Sequence, residues 1–118
     1  MAIRERTVER ILGVMKSICT IRGMEYFYIG YSSVPANRRG GPAREGFQFM
    51  VVLADRLSKG DALDLEKRLF CAATQTGKKN LLYKKYHPDK RDKRYYPSDG
   101  GNKIPANKLV HSVYMVWC

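Results

Sequence analysis

Between Glu5 and Cys19 the residues Val8, Ile11, Leu12, Met15, Ile18 and Cys19 recur at steps of three and four. That spacing draws one apolar stripe along a helix. Gly23 falls where the turn after it is expected. Met24-Glu25-Tyr26-Phe27-Tyr28-Ile29-Gly30-Tyr31 is rich in aromatic residues and reads as a strand. Alternation puts Tyr26, Tyr28 and Gly30 on one face and Phe27, Ile29 and Tyr31 on the other. Ser32-Ser33-Val34-Pro35 predicts a helix start, because serine caps and proline suits the first turn. That helix carries Asn37, Arg38 and Arg39, and Gly40-Gly41-Pro42 keeps it short.

Phe47 to Leu53 is a second strand, and its nearly continuous apolar run predicts a central position. Ser58 to Asp61 opens a helix that runs to about Thr74, with Ala62, Leu65, Leu69 and Ala72 as its core stripe. Periodicity fades from Gly77 to Asn107. Val110 to Trp117 supplies a third strand. The expected fold is α+β: a small three-stranded antiparallel sheet flanked by helices. It forms one domain over residues 1–118, with an N-terminal helix at about 5–19 and a basic loop at about 77–107.

Charge changes this picture most. Lys and Arg number 22 against 11 Asp and Glu, leaving +11 on a chain of 13.6 kDa. Such a surplus attracts polyanions, so the expected partner is nucleic acid. Charge alone would also suit the ribosome or an anionic membrane. No apolar run approaches a membrane-spanning length, and no membrane partner is expected. The charged start Met1-Ala2-Ile3-Arg4-Glu5-Arg6 lacks the apolar core of a secretion signal. Cys19, Cys71 and Cys118 are odd in number and far apart, which favours reduced thiols over a disulfide or a structural zinc site. An intracellular, reducing compartment is the expected location.

Four sets of residues are candidates for chemistry. Glu66 has apolar axial neighbours on its helix: Ala62, Leu63, Leu69 and Phe70. A carboxylate set among them is desolvated unless a lysine, an arginine or a divalent metal compensates. The plainer alternative is a boundary glutamate whose head reaches water. Tyr26 and Tyr28 share a strand face beside Gly30, and a glycine in a strand often marks close approach of a backbone or ligand. Their phenols suit proton transfer, and the plainer alternative is an aromatic core. Arg38 and Arg39 can grip a phosphate in bidentate fashion or form a solvated basic face. Lys78, Lys79, Lys84, Lys85, Lys90, Arg91, Lys93 and Arg94 are interleaved with Tyr83, Tyr86, Tyr95 and Tyr96. Cations would hold phosphates and tyrosine rings could stack on unpaired bases. The same run can serve as a nuclear-import signal, which keeps the nucleus open as a location.

Tyr28-Ile29-Gly30, then Arg38 ten residues after the tyrosine, then an apolar strand and a helix bearing Glu66, resembles the GIY-YIG nuclease superfamily. The likeness covers residues 24 to about 74, and YIGYSSVPANRR is its most specific piece. The family's opening Gly-Ile-Tyr strand is absent from the front, where an amphipathic helix stands instead. Either that strand is lost and the enzyme is dead, or Ser112-Val113-Tyr114 of the last strand takes its place, as in a circular permutation. The second account is preferred here, and it makes Tyr114 the counterpart of the first motif's tyrosine.

The resemblance implies hydrolysis of phosphodiester bonds, in DNA rather than RNA, with one divalent ion, Mg²⁺ or Mn²⁺. Under it Glu66 holds the metal and Arg38 binds the scissile phosphate. Tyr28 or Tyr114, with Tyr26 beside them, handles the attacking water. A late asparagine is also expected, for which Asn102 is the candidate. A nuclease this small implies weak sequence specificity or a protein partner that supplies targeting. Two alternatives stand beside it: an inactive binding module on the same fold, and an unrelated RNA-binding protein.

Overall fold

The computed structural model describes residues 3–32, 46–95 and 107–118. Arg38, Arg39 and Asn102, and the short helix expected after Ser32, lie outside the described residues. The elements run α1 (Glu5–Cys19), β1 (Phe27–Ser32), β2 (Phe49–Leu57), α2 (Lys59–Thr74), α3 (Leu81–Lys85), α4 (Pro88–Arg91) and β3 (His111–Trp117). The class is α+β with a three-stranded antiparallel sheet, as the sequence predicts.

Helix α1 spans the expected residues and buries Val8, Ile11, Met15 and Cys19. Gly23 has φ +86°, a left-handed conformation that glycine adopts without a Cβ clash, and it turns the chain toward β1. Helix α2 starts at Ser58, whose side chain accepts from the Asp61 amide at 3.2 Å. Asp61 also places negative charge at the positive end of the helix dipole. Ala62, Leu65, Leu69 and Ala73 are fully buried, so the core stripe ends at Ala73, and Ala72 is only half-buried. Arg68 joins the two long helices: it donates to the Ile3 carbonyl at 2.6 Å and pairs with Glu5.

Sheet order corrects one expectation. It is β1-β3-β2, so β3 is central and β2 lies at an edge. Every residue from His111 to Val116 is buried, whereas Phe49 and Val52 of β2 are 52% and 42% exposed. The apolar run in β2 is therefore only half-buried: Met50, Val51, Leu53 and Ala54 pack against the core while Phe49 and Val52 are open. The register of β2 shifts between Val52 and Ala54 and again before Leu57, and Arg56 takes a left-handed φ of 55° there. Such bulges twist an edge strand away from casual pairing.

Strand β1 is held on both sides. β3 pairs with it from Phe27↔Trp117 to Ser32↔Ser112. On its other side Tyr86 forms a parallel bridge to Phe27, and the His87 amide donates to the Phe27 carbonyl at 2.7 Å. That contact docks the segment read as a basic loop, which contains α3 and α4. Asn80 caps α3 by accepting from the Leu82 amide, and His87 caps α4 by accepting from the Asp89 amide, with Pro88 in the first turn.

Candidate active site

A cleft of about 230 Å³ opens where β1, β3, α2 and the α4 arm meet. Tyr28, Gly30, Glu66, Tyr86, Tyr95 and Tyr114 line it, and Lys90, Lys93 and Arg94 bring cations to it. Three candidates separated by 38 and 48 residues in sequence, Tyr28, Glu66 and Tyr114, thus face one space.

The strands place the first group. Gly30 is the direct partner of Tyr114, so both lie on the face that carries Tyr28. A Cβ added at Gly30 would stand 2.5 Å from Tyr114 Oη and 2.6 Å from Cζ. The Tyr114 ring lies across the glycine, and no other residue leaves it that room. Ile29 donates a long 3.4 Å hydrogen bond to the Tyr86 hydroxyl, which stands in the cleft wall. Burial pushes the Tyr86 phenol far above its ordinary range. The Ile29 hydrogen bond opposes this, and the nearby charges of Glu66 and Tyr28 add to it.

Helix α2 places Glu66. It is 3% exposed, so its head does not reach water as a boundary glutamate would. Its apolar neighbours Ala62, Leu69 and Phe70 are buried and Leu63 is half-buried. The Tyr95 hydroxyl donates to Glu66 Oε1 at 2.7 Å, and the Leu63 carbonyl lies 3.3 Å from the same hydroxyl. Burial first, then Glu66, hold the Tyr95 phenol well above its ordinary range. Tyr95 therefore keeps its proton and remains a donor.

The α4 arm places the cations. Lys90 Nζ sits 3.6 Å from the centroid of the Tyr28 ring. Phe47 meets the same ring edge-on at 4.8 Å. Lys93 and Arg94 are exposed at the rim. The remaining basic candidates do other things. Lys85 donates to the Met24 carbonyl at 2.7 Å. Arg91 stacks over Tyr83 at 4.9 Å, and Tyr83 in turn hydrogen-bonds Asp92. Lys78, Lys79 and Lys84 are exposed outside the cleft.

Tyr26 is not brought in with Tyr28. Its ring packs edge-on against His87 at 4.8 Å and Phe47 at 6.0 Å. With Tyr28 only 8% exposed and capped by Lys90, neither ring is placed as a platform for a base.

Among the described residues no group of three His, Cys, Asp or Glu side chains gathers as a metal cluster. The cleft offers one carboxylate and several phenol oxygens among the described residues. Hard oxygen donors with a single carboxylate fit Mg²⁺ or Mn²⁺, which keep several waters and share substrate phosphates, and do not fit a soft or structural metal. The three cysteines are free, and no described helix is long and apolar enough to cross a membrane.

Sequence reasoning missed two cleft residues, Tyr86 and Tyr95. Both were visible as tyrosines in a basic segment, but nothing local ties either to Glu66. The His87-Pro88 pair was the available signal, since a capping side chain followed by proline starts a short helix. Comparison with family models, curated proteins and solved structures finds no match.

Proposed function

We propose that this chain is a metal-dependent endonuclease that hydrolyses phosphodiester bonds in DNA, built as a permuted relative of the GIY-YIG nucleases. The observation that carries the reading is the convergence of Tyr28, Gly30, Glu66 and Tyr114 on one cleft beside Lys90, Lys93 and Arg94. Pairing of β3 with β1 supports the permuted arrangement. The Glu25 amide donates to the Cys118 carbonyl at 2.8 Å, so the end of β3 lies beside the approach to β1. Chain order is then no obstacle to the two strands sharing a site.

In this reading Glu66 would hold the divalent ion, which supplies charge stabilisation at the phosphoryl group and leaving oxygen. Tyr28 or Tyr114, acting as its phenolate, takes the proton of the attacking water, and the departing ester oxygen takes one from solvent. The water oxygen bonds to phosphorus as the bond to the leaving ester oxygen breaks. Lys90, Lys93 and Arg94 draw the backbone into the cleft, and Arg38 grips the scissile phosphate.

A second reading has its own support. Tyr95 already hydrogen-bonds Glu66, and three cations stand around the cleft, so the carboxylate can be accommodated without a metal. The chain would then bind nucleic acid without cutting it. The two readings part on a double-mutant test of plasmid nicking. If Tyr28→Phe and Tyr114→Phe act on one water, each lowers the rate, and the pair costs much less than the product of the singles. Absence of nicking by the parent protein, with binding intact, selects the binding module.

A further inference from the structure

We infer that Tyr95 is a positioning residue for Glu66, holding its carboxylate in the orientation that binds a divalent cation. The inference rests on the nuclease reading of the cleft and adds a residue to it. Three observations carry it. Tyr95 Oη lies 2.7 Å from Glu66 Oε1 and 3.3 Å from the carbonyl of Leu63, one helical turn earlier. The hydroxyl has one proton, and the nearer oxygen, that of the carboxylate, takes it. The Tyr95 ring is fixed in turn by Phe70, at 5.8 Å and tilted by 50°. Phe70 is the residue one turn after Glu66, so the helix that carries the carboxylate also holds the ring. Finally, Glu66 is 3% exposed among apolar neighbours, so a hydrogen bond to its carboxylate meets little competition from water.

A phenol suits the task better than a cation. It donates to one carboxylate oxygen without neutralising the charge that attracts the metal. Partners that orient a ligating carboxylate are worth about 10–100-fold in metal affinity or activity.

The test is Mn²⁺ binding by the full chain without DNA, followed by electron paramagnetic resonance. Wild type is compared with Glu66→Ala, Tyr95→Phe and Tyr83→Phe. Tyr95→Phe keeps the ring and removes only the hydroxyl. Tyr83→Phe removes a hydroxyl from the same arm that bonds Asp92 instead, and reports any general loosening. The expected result is Mn²⁺ binding by wild type, its loss in Glu66→Ala, and a roughly tenfold weaker constant in Tyr95→Phe with Tyr83→Phe unchanged. Thermal unfolding of the same samples shows that each is folded. Equal constants for Tyr95→Phe and wild type overturn the role of Tyr95 and leave the metal role of Glu66 standing. Equal weakening in Tyr83→Phe overturns it as well, since the effect is then that of the arm. No Mn²⁺ binding by folded wild type overturns the metal reading and the inference with it.

Discussion

Gly30 has no side chain, and the ring of Tyr114 occupies that space. A methyl group there meets Tyr114 Oη at 2.5 Å, the far end of a side chain that can swing aside. Gly30→Ala should therefore cost about 1–3 kcal/mol of stability but displace a phenol from the cleft. A misplacement of about 1 Å at a reacting group can cost on the order of 100-fold in rate. Melting temperature and plasmid nicking measured together check this, with activity falling far more than stability. Cys19 makes a second prediction. Burial pushes its thiol up to about 11 from 9.0, with the Lys85 ammonium opposing. Its contribution to stability is present below pH 9 and is lost as pH rises toward 11, because the unfolded chain ionises first. Denaturant titrations across that interval should show a loss on the order of 1–2 kcal/mol that is smaller in Cys19→Ala. At this scale the sequence was informative where spacing carries chemistry. Glu66 stood out by its apolar neighbours, and Gly30 by interrupting an aromatic strand. Its bond to Tyr95 was invisible, because 29 residues and a change of element separate the two.

Elements α1 and α2 were legible because each buries one stripe and starts with the right chemistry. Ser58 caps the helix that carries Glu66, and Ser58→Ala should cost about 1 kcal/mol. For a chain of this size that is a fall of about 3–5 °C in melting temperature, readable by circular dichroism. The sheet was legible in its strands and misread in its order. The apolar run in β2 predicts a central strand, yet the strand paired on both sides is β3. Periodicity reports which faces are buried, not which strands are neighbours. The segment after α2 was misread for another reason: α3 and α4 are too short to show a helical period, and their starts are set by Asn80 and His87. Central placement of β3 gives a direct check. Removing residues 111–118 deprives β1 and β2 of their shared partner, and the shortened chain should lose its cooperative unfolding transition.

Over the whole molecule, the proposed function assigns encounter with nucleic acid to the +11 charge and chemistry to the cleft. Among the described residues Lys90, Lys93 and Arg94 are the cations at the cleft, while Lys78, Lys79 and Lys84 are exposed outside it. Replacing the three cleft cations with glutamine should lower the slope of log K against log salt by about 2–3, at roughly 0.9 per duplex phosphate contact. Replacing Lys78, Lys79 and Lys84 should change it less. Binding isotherms at several salt concentrations compare the two sets.

The central claim is that Glu66 carries cleavage and not merely the fold or the grip on DNA. Nicking of supercoiled plasmid with Mg²⁺ or Mn²⁺, for wild type and Glu66→Ala, with binding to the same plasmid measured in parallel, tests it most directly. The account predicts nicking by wild type, and a Glu66→Ala protein that binds within about threefold of wild type but cuts at least about 100-fold more slowly. A Glu66→Ala protein that nicks at the wild-type rate would contradict it. So would a wild type that binds plasmid, branched and single-stranded DNA and cuts none of them.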